Sequence, residues 1–346
     1  MHRLFQSFFL SIVVLALTPT VAIAAKLVTT DGGVKVVGNN DDYWFQISGV
    51  LKVDQRIYWG NTETTASPIC DDGTYNSGAF IRDVGLTFNG GLGKDWSYNI
   101  ALNFDAFKSL SRVDDAFVTY HGFKNFLPNF AIDIGQVIPG FCLTCATSSK
   151  WIPFLERSMG TNTFGAQQGL GVNFNSYNDA YTSSLTLTQQ PKTGTPVLSP
   201  ENKVISKPDL WQAAIRFNYR PIYSPGRVFQ IGFSGDIEEY SNTGLRYNPK
   251  PEMRSGSTDS LLDTAIPQSR NSNGSINYLL IAAKNQKTID FEVLWIYGPM
   301  SGEVEYQRAY IARGYNFAVS NTVKQGPNLR FSGYHAQLSY ILTGEH

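Results

Sequence analysis

Charge is scarce in this 346-residue chain: Asp, Glu, Lys and Arg together make 16% of it, and 28 cations balance 28 anions to a formal net charge of zero. Nothing in that balance points to a nucleic-acid partner, which needs a basic surface. Histidine is also rare, with four residues, and cysteine is limited to Cys70, Cys142 and Cys145. So few and so scattered ligands do not make a zinc centre. The pair Cys142-x-x-Cys145 lacks the βαβ setting of a thioredoxin-like redox motif. In an exported chain it reads as a possible local disulfide that leaves Cys70 over. Beyond the first two dozen residues no apolar run approaches the ~20 residues of a spanning helix. A membrane crossing, if there is one, therefore falls to a closed barrel, the other structure that satisfies its backbone in lipid.

What the chain does have begins with a leader. His2-Arg3, the apolar run Phe8–Leu17 and the small residues of Ala22-Ile-Ala24 have the order of a secretory signal peptide, expected over 1–24 and cut after Ala24. Residues 25–42 are expected as a periplasmic N-terminal segment, with strands from 43 to 346. Aromatics are 13% of the chain and glycine numbers 31, a profile that suits aromatic girdles and glycine turns.

From Tyr43 the period is two. Phe45, Ile47, Leu51, Val53 and Ile57 share one face; Gln46, Ser48, Lys52, Asp54 and Arg56 share the other. Similar alternation recurs over Phe80–Asn89, Trp96–Asp105, Val113–His121, Asn129–Val137, two strands around Tyr177-Asn178-Asp179, Leu210–Arg220, Arg227–Glu238, Ile289–Tyr297, Gly302–Ala312 and Arg330–Leu342. The count is 12 strands. Long polar connections follow the odd strands, the one around Ser109 being the shortest of them, and short turns follow the even ones, as in an antiparallel transmembrane β-barrel. The longest connection, Glu239–Ala283, is expected to be polar and without strands, and Pro221–Gly226 is expected as a turn. On the polar faces Lys52, Arg56, Asp83, Ser97, Arg216 and Arg220 are candidate pore-wall residues.

One connection is not an ordinary loop. Residues 138–166 hold Cys142-Leu-Thr-Cys-Ala-Thr-Ser-Ser-Lys150-Trp and Leu155-Glu-Arg157, with hydroxyls, two cations and a carboxylate in an irregular run. Between barrel strands such an insert is expected to fold into the lumen and constrict it. Ser148, Ser149, Lys150 and Arg157 are then the candidate solute contacts.

At this point the residues resemble those of the phosphate-selective porin O/P family. Ala146-Thr-Ser-Ser-Lys-Trp151 with Leu155-Glu-Arg157 is similar to that family's third loop. Ile81-Arg-Asp-Val-Gly-Leu-Thr-Phe88, Asp95-Trp-Ser-Tyr98, Asp114-Asp-Ala-Phe-Val-Thr-Tyr120 and the closing Gly333–Glu345 resemble further segments of it. The resemblance implies a trimeric outer-membrane barrel of 16 strands in a Gram-negative bacterium, inserted by the barrel assembly machinery. It also implies passage of small anions or other small solutes, with outer-membrane lipid as surroundings and no cofactor. Three departures stand out: Asp83, Ser97 and Cys145 occupy places where the family carries cations. Arg82, one residue before Asp83, is assigned to the opposite face by alternation. These losses imply a general or weakly anion-preferring pore rather than a phosphate filter. Thr343-Gly-Glu-His346 reads as the start of a turn, so the family's last strands are expected to be missing, as in a smaller or a truncated barrel.

Two other function classes have less support. Ser148 and Ser149 lack a Gly-x-Ser-x-Gly elbow, His121 and His335 are distant in sequence, and Asp114-Asp115 are adjacent rather than paired acids, so an enzyme is not expected. A surface adhesive protein using the long polar loop is the alternative reading.

Overall fold

An extended chain sends successive side chains to opposite faces, and that rule governs most of this molecule. The computed structural model describes residues 26–30, 33–38, 42–57, 77–105, 110–123, 126–166, 168–189, 197–198, 204–205, 211–247, 249, 264, 266–270, 276–279, 281–314 and 326–343. The leader 1–24 and Cys70 lie outside these residues.

The strands open with β1 (Lys26–Thr30), β2 (Gly33–Val37), β3 (Tyr43–Arg56), β4 (Gly78–Leu92), β5 (Trp96–Asp105) and β6 (Leu110–Tyr120). They continue with β7 (Ala131–Val137), β8 (Gly169–Tyr177), β9 (Tyr181–Gln189), β10 (Val197–Leu198), β11 (Val204–Ile205) and β12 (Trp211–Ser224). The last are β13 (Arg227–Leu245), β14 (Ile266–Arg270), β15 (Ile276–Leu279), β16 (Ile281–Tyr297), β17 (Met300–Arg313) and β18 (Leu329–Tyr340). Two small hairpins, β10–β11 and β14–β15, stand apart; the other strands form one 14-stranded sheet in chain order. Every pairing within it is antiparallel.

The sheet is longer than the 12 strands expected. Residues 26–37, expected as a segment outside the sheet, pair onto its first edge: β2 runs from Gly33 opposite Ser48 to Val37 opposite Trp44. The long connection after β13 is also shorter than expected, because β13 extends to Leu245 and β16 begins at Ile281. The run Glu238-Glu-Tyr-Ser-Asn looks like loop only if polar residues are assumed to be unpaired. Here Glu238 and Tyr240 are almost fully buried on the inner face. Finally, β12 continues through Pro221 to Ser224. A register shift between Tyr219 and Ile222 leaves Pro221 where no N–H is needed by the ladder.

The distribution of polarity is inverted relative to a soluble domain. The buried set includes Thr186, Ser234, Asp236, Gln286, Asp290 and Glu305, each at most 1% exposed. The open face carries Leu51, Val53, Ile134, Phe217, Ile231 and Leu338, each 45% exposed or more. A water-facing sheet would place these the other way round. Exposed rings, among them Tyr43, Trp96, Tyr177, Tyr297 and Tyr340, gather where the short turns lie, at residues 93–95, 178–180 and 298–299. This is the aromatic girdle of a lipid-embedded sheet.

The sheet also curls. Strands β4 and β17 are nine ladder steps apart, ~43 Å in a flat sheet at the usual ~4.8 Å spacing. Both nevertheless touch the insert after β7: Arg82 pairs with Glu156, and Glu305 accepts from Thr144. The polar face is therefore the concave one, and the insert crosses it.

Candidate functional site

The insert leaves β7 under tight packing. A Cβ on Gly140 would lie 2.3 Å from Ser184 Oγ, so only glycine lets the chain press against β9 there. Its N–H donates to Thr186 Oγ1 at 3.3 Å, and the Cys142 N–H donates to Ser234 Oγ at 3.1 Å. Cys142 takes a left-handed φ of 47° and is joined to Cys145 by a disulfide. Its Sγ also accepts from the Cys145 N–H at 3.0 Å, capping the short helix α1 (Leu143–Ala146).

Helix α1 is held at both ends. The exposed N–H groups of a helix start favour a carboxylate, and Glu305 of β17 supplies it, accepting from the Leu143 and Thr144 N–H groups and from Thr144 Oγ1. At the other end Arg157 donates from Nε to the Thr144 carbonyl and from Nη2 to the Thr147 carbonyl, both at 2.9 Å. The guanidinium expected to meet solute thus folds the insert's return leg onto its outgoing leg.

The tip faces β3 and β4. Ser148 and Lys150 are exposed and Ser149 is half-buried. The Ser149 carbonyl accepts from Lys52 Nζ at 2.9 Å, and Lys52 lies 3.9 Å from Asp83. Beside them Arg82, 4% exposed, pairs with Asp54 at 2.7 Å and with Glu156 of the insert. The expected orientation of Arg82 is overturned. Lys52 sits opposite Asp83 but Val53 sits opposite Ile81, so Arg82 is the extra residue of a β-bulge and turns inward.

The return leg ends in helix α2 (Met159–Phe164), capped by Ser158, whose Oγ accepts from the Thr161 N–H at 3.2 Å. Phe164 enters the one apolar cluster found among the buried described residues, with Tyr240, Leu245, Tyr247, Ile281, Ala309 and Ile311. Close approach is possible because a Cβ on Gly333 would lie 3.3 Å from Gly160 Cα.

Across the concave face from the ion pairs of β3 and β4, strands β16 to β18 carry an acidic group. Asp290, Glu292 and Glu305 place carboxylate oxygens within 4.8 Å of one another, as do Glu303, Glu305 and His335 with their ligand atoms. Such groups are of the type that hold a cation. Much of their capacity is already engaged: Glu292 accepts from Arg216 Nη2 at 2.7 Å and from Gln230, and His335 lies 3.2 Å from Glu303. Arg216 is therefore an ion-pair partner. Ser97 bonds His121 Nε2 at 2.9 Å. Arg220 donates to the carbonyls of Asn178, Asp179 and Tyr181, bracing the turn between β8 and β9. The side chain of Arg56 lies outside the described residues.

Of the expected site residues, Lys52 meets the Ser149 carbonyl and Arg157 ties the insert to itself; Arg82, Glu156 and Glu305, which join the insert to β4 and β17, were not among them. Glu156 was legible as the one carboxylate among the insert's cations. The bulge that turns Arg82 inward has no local sequence signal.

An antiparallel sheet with a lipid-facing apolar skin, a polar concave face and a loop folded across it defines an outer-membrane pore protein. The chain belongs to the family of phosphate-selective porin O and P, whose model matches residues 52–346. It is 28% identical over 333 residues to Porin O of Pseudomonas aeruginosa, across 92% of this chain and 69% of that protein. Among solved structures it is similar to outer-membrane expressed OmpT of Vibrio cholerae, with 8% identity and a TM-score of 0.39, covering 84% of this chain and 68% of that one. In-vitro folded OmpT of the same organism gives 9% identity and a TM-score of 0.28, over 92% and 100% of the two chains. The protein is an outer-membrane porin, and its family is one of channels rather than enzymes.

Proposed function

We propose that the chain is a passive diffusion channel for small hydrophilic solutes, constricted by residues 138–166, with little charge preference. The observation that carries this reading is the insert spanning the concave face from β3–β4 to β17–β18. A phosphate filter needs convergent cations free to replace hydration. Among the described inward cations, Lys52, Arg82, Arg157 and Arg216 instead meet Asp83, Asp54, Glu156, Glu292 or backbone carbonyls. Lys150, Ser148 and Ser149 at the tip remain the groups a solute would contact. The family resemblance further supports a homotrimer delivered by the barrel assembly machinery.

The test is single-channel recording of refolded protein in planar bilayers with a KCl gradient. The expected result is an ohmic pore with a reversal potential near zero. Correctly inserted barrels that carry no current would overturn the channel reading, and a strongly anion-selective reversal potential would overturn the weak preference.

A further inference from the structure

A cation facing a pore usually serves the solute; Arg82 is placed for something else. We propose that Arg82 is a positioning residue: through Glu156 it fixes the insert at the β3–β4 wall and so sets the width of the channel. The proposal rests on the reading of residues 138–166 as the constriction.

The bulge opposite Lys52–Val53 turns Arg82 onto the concave face, where it is 4% exposed and so withdrawn from passing solute. Its two Nη atoms serve two carboxylates, Asp54 on its own wall and Glu156 on the insert. A planar guanidinium can bridge two acids in this way; a lysine ammonium is a point charge without that fork. Glu156 adjoins Arg157, which grips the carbonyls of α1, and α1 in turn is gripped by Glu305. A continuous line of contacts thus runs from β4 through the insert to β17, with Arg82 as its joint to the near wall. Asp54, Arg82 and Glu156 together bring one cation to two anions, a set that does not attract an anion.

The test compares wild-type protein with Arg82→Gln, Arg82→Lys, Glu156→Gln and Asp54→Asn, and with a variant whose tip, residues 148–155, is replaced by a short glycine linker. Single-channel conductance and reversal potential are measured on protein whose fold is verified by heat-modifiable gel mobility. Arg82→Gln and Glu156→Gln change the lumen charge in opposite senses. If Arg82 positions the insert, both raise the unit conductance and add flicker, Arg82→Lys behaves like them, and Asp54→Asn, which frees the wall side of the guanidinium, moves in the same direction. If Arg82 acts on the solute by its charge, the first two shift the reversal potential in opposite directions at unchanged conductance, which overturns the proposal. Unchanged conductance in Glu156→Gln and Arg82→Lys overturns it as well, even if Arg82→Gln fails to fold. The tip variant separates the two levels: no rise in its conductance means that the insert is not the constriction at all.

Discussion

Arg157 shows how little a side chain's charge says about its use. Its two charge-assisted bonds go to backbone carbonyls within the insert, and each such bond is worth about 1.5–3 kcal/mol. Arg157→Ala is expected to loosen the insert without unfolding the sheet. Limited proteolysis should then cut within residues 147–157 in the variant and spare the wild type. Glu305→Ala removes the acceptor for two N–H groups of α1, and the same assay is expected to give the same result. Of these residues, sequence reading located Arg157 on the correct segment but could not see its partners. The carbonyls it binds become available only once α1 has formed, and the acid that supports α1 lies about 160 positions downstream.

Among the elements, the return leg of the insert is a polar segment anchored by a buried ring. Phe164 is 5% exposed and packs edge-on against Tyr247 at 5.6 Å between ring centroids. Truncating such a residue costs about 3–5 kcal/mol. Phe164→Ala is expected to free α2 from β17 and β18, seen as faster hydrogen exchange over residues 158–166 with strand protection retained. The strands carry their own devices. A Cβ on Gly302 would lie 2.1 Å from the Trp295 ring laid across it, the cross-strand covering of a glycine by an aromatic. Gly302→Val is expected to displace that indole and to shift tryptophan emission in the lipid-embedded protein. Strand positions were legible because the period of two is a local property. Bulges were not, since a bulge is defined only by what the partner strand does, and that is why Arg82 was assigned to the wrong face.

For the whole molecule, the apolar skin and polar interior make lipid a structural requirement. Ile231 lies on the open face and Gln230 beside it is buried. A cation on the lipid face near the midplane costs about 2–4 kcal/mol. Ile231→Arg is therefore expected to lower the stability of the refolded protein in urea titrations in vesicles. The corresponding change at an inward, water-accessible position should leave it within error. The sheet's first two strands, of five residues each, are too short to show a clear period, and the ends of β13 and β16 beside the long connection carry polar residues on the hidden side.

What the sequence determined by itself was the all-β class, the two-faced alternation of most strands from Tyr43 onward, and the position of the long irregular insert after β7. These follow from side-chain periodicity and turn chemistry, which neighbouring residues impose on one another. What only the tertiary structure decided was the partner of each charge. Arg82, Lys52, Arg157 and Glu305 meet groups between 10 and 162 residues away, and curling of the sheet is what brings them together. A cation beside an acid and a cation facing open water are the same letter in a sequence, yet only the second can draw an anion through a pore.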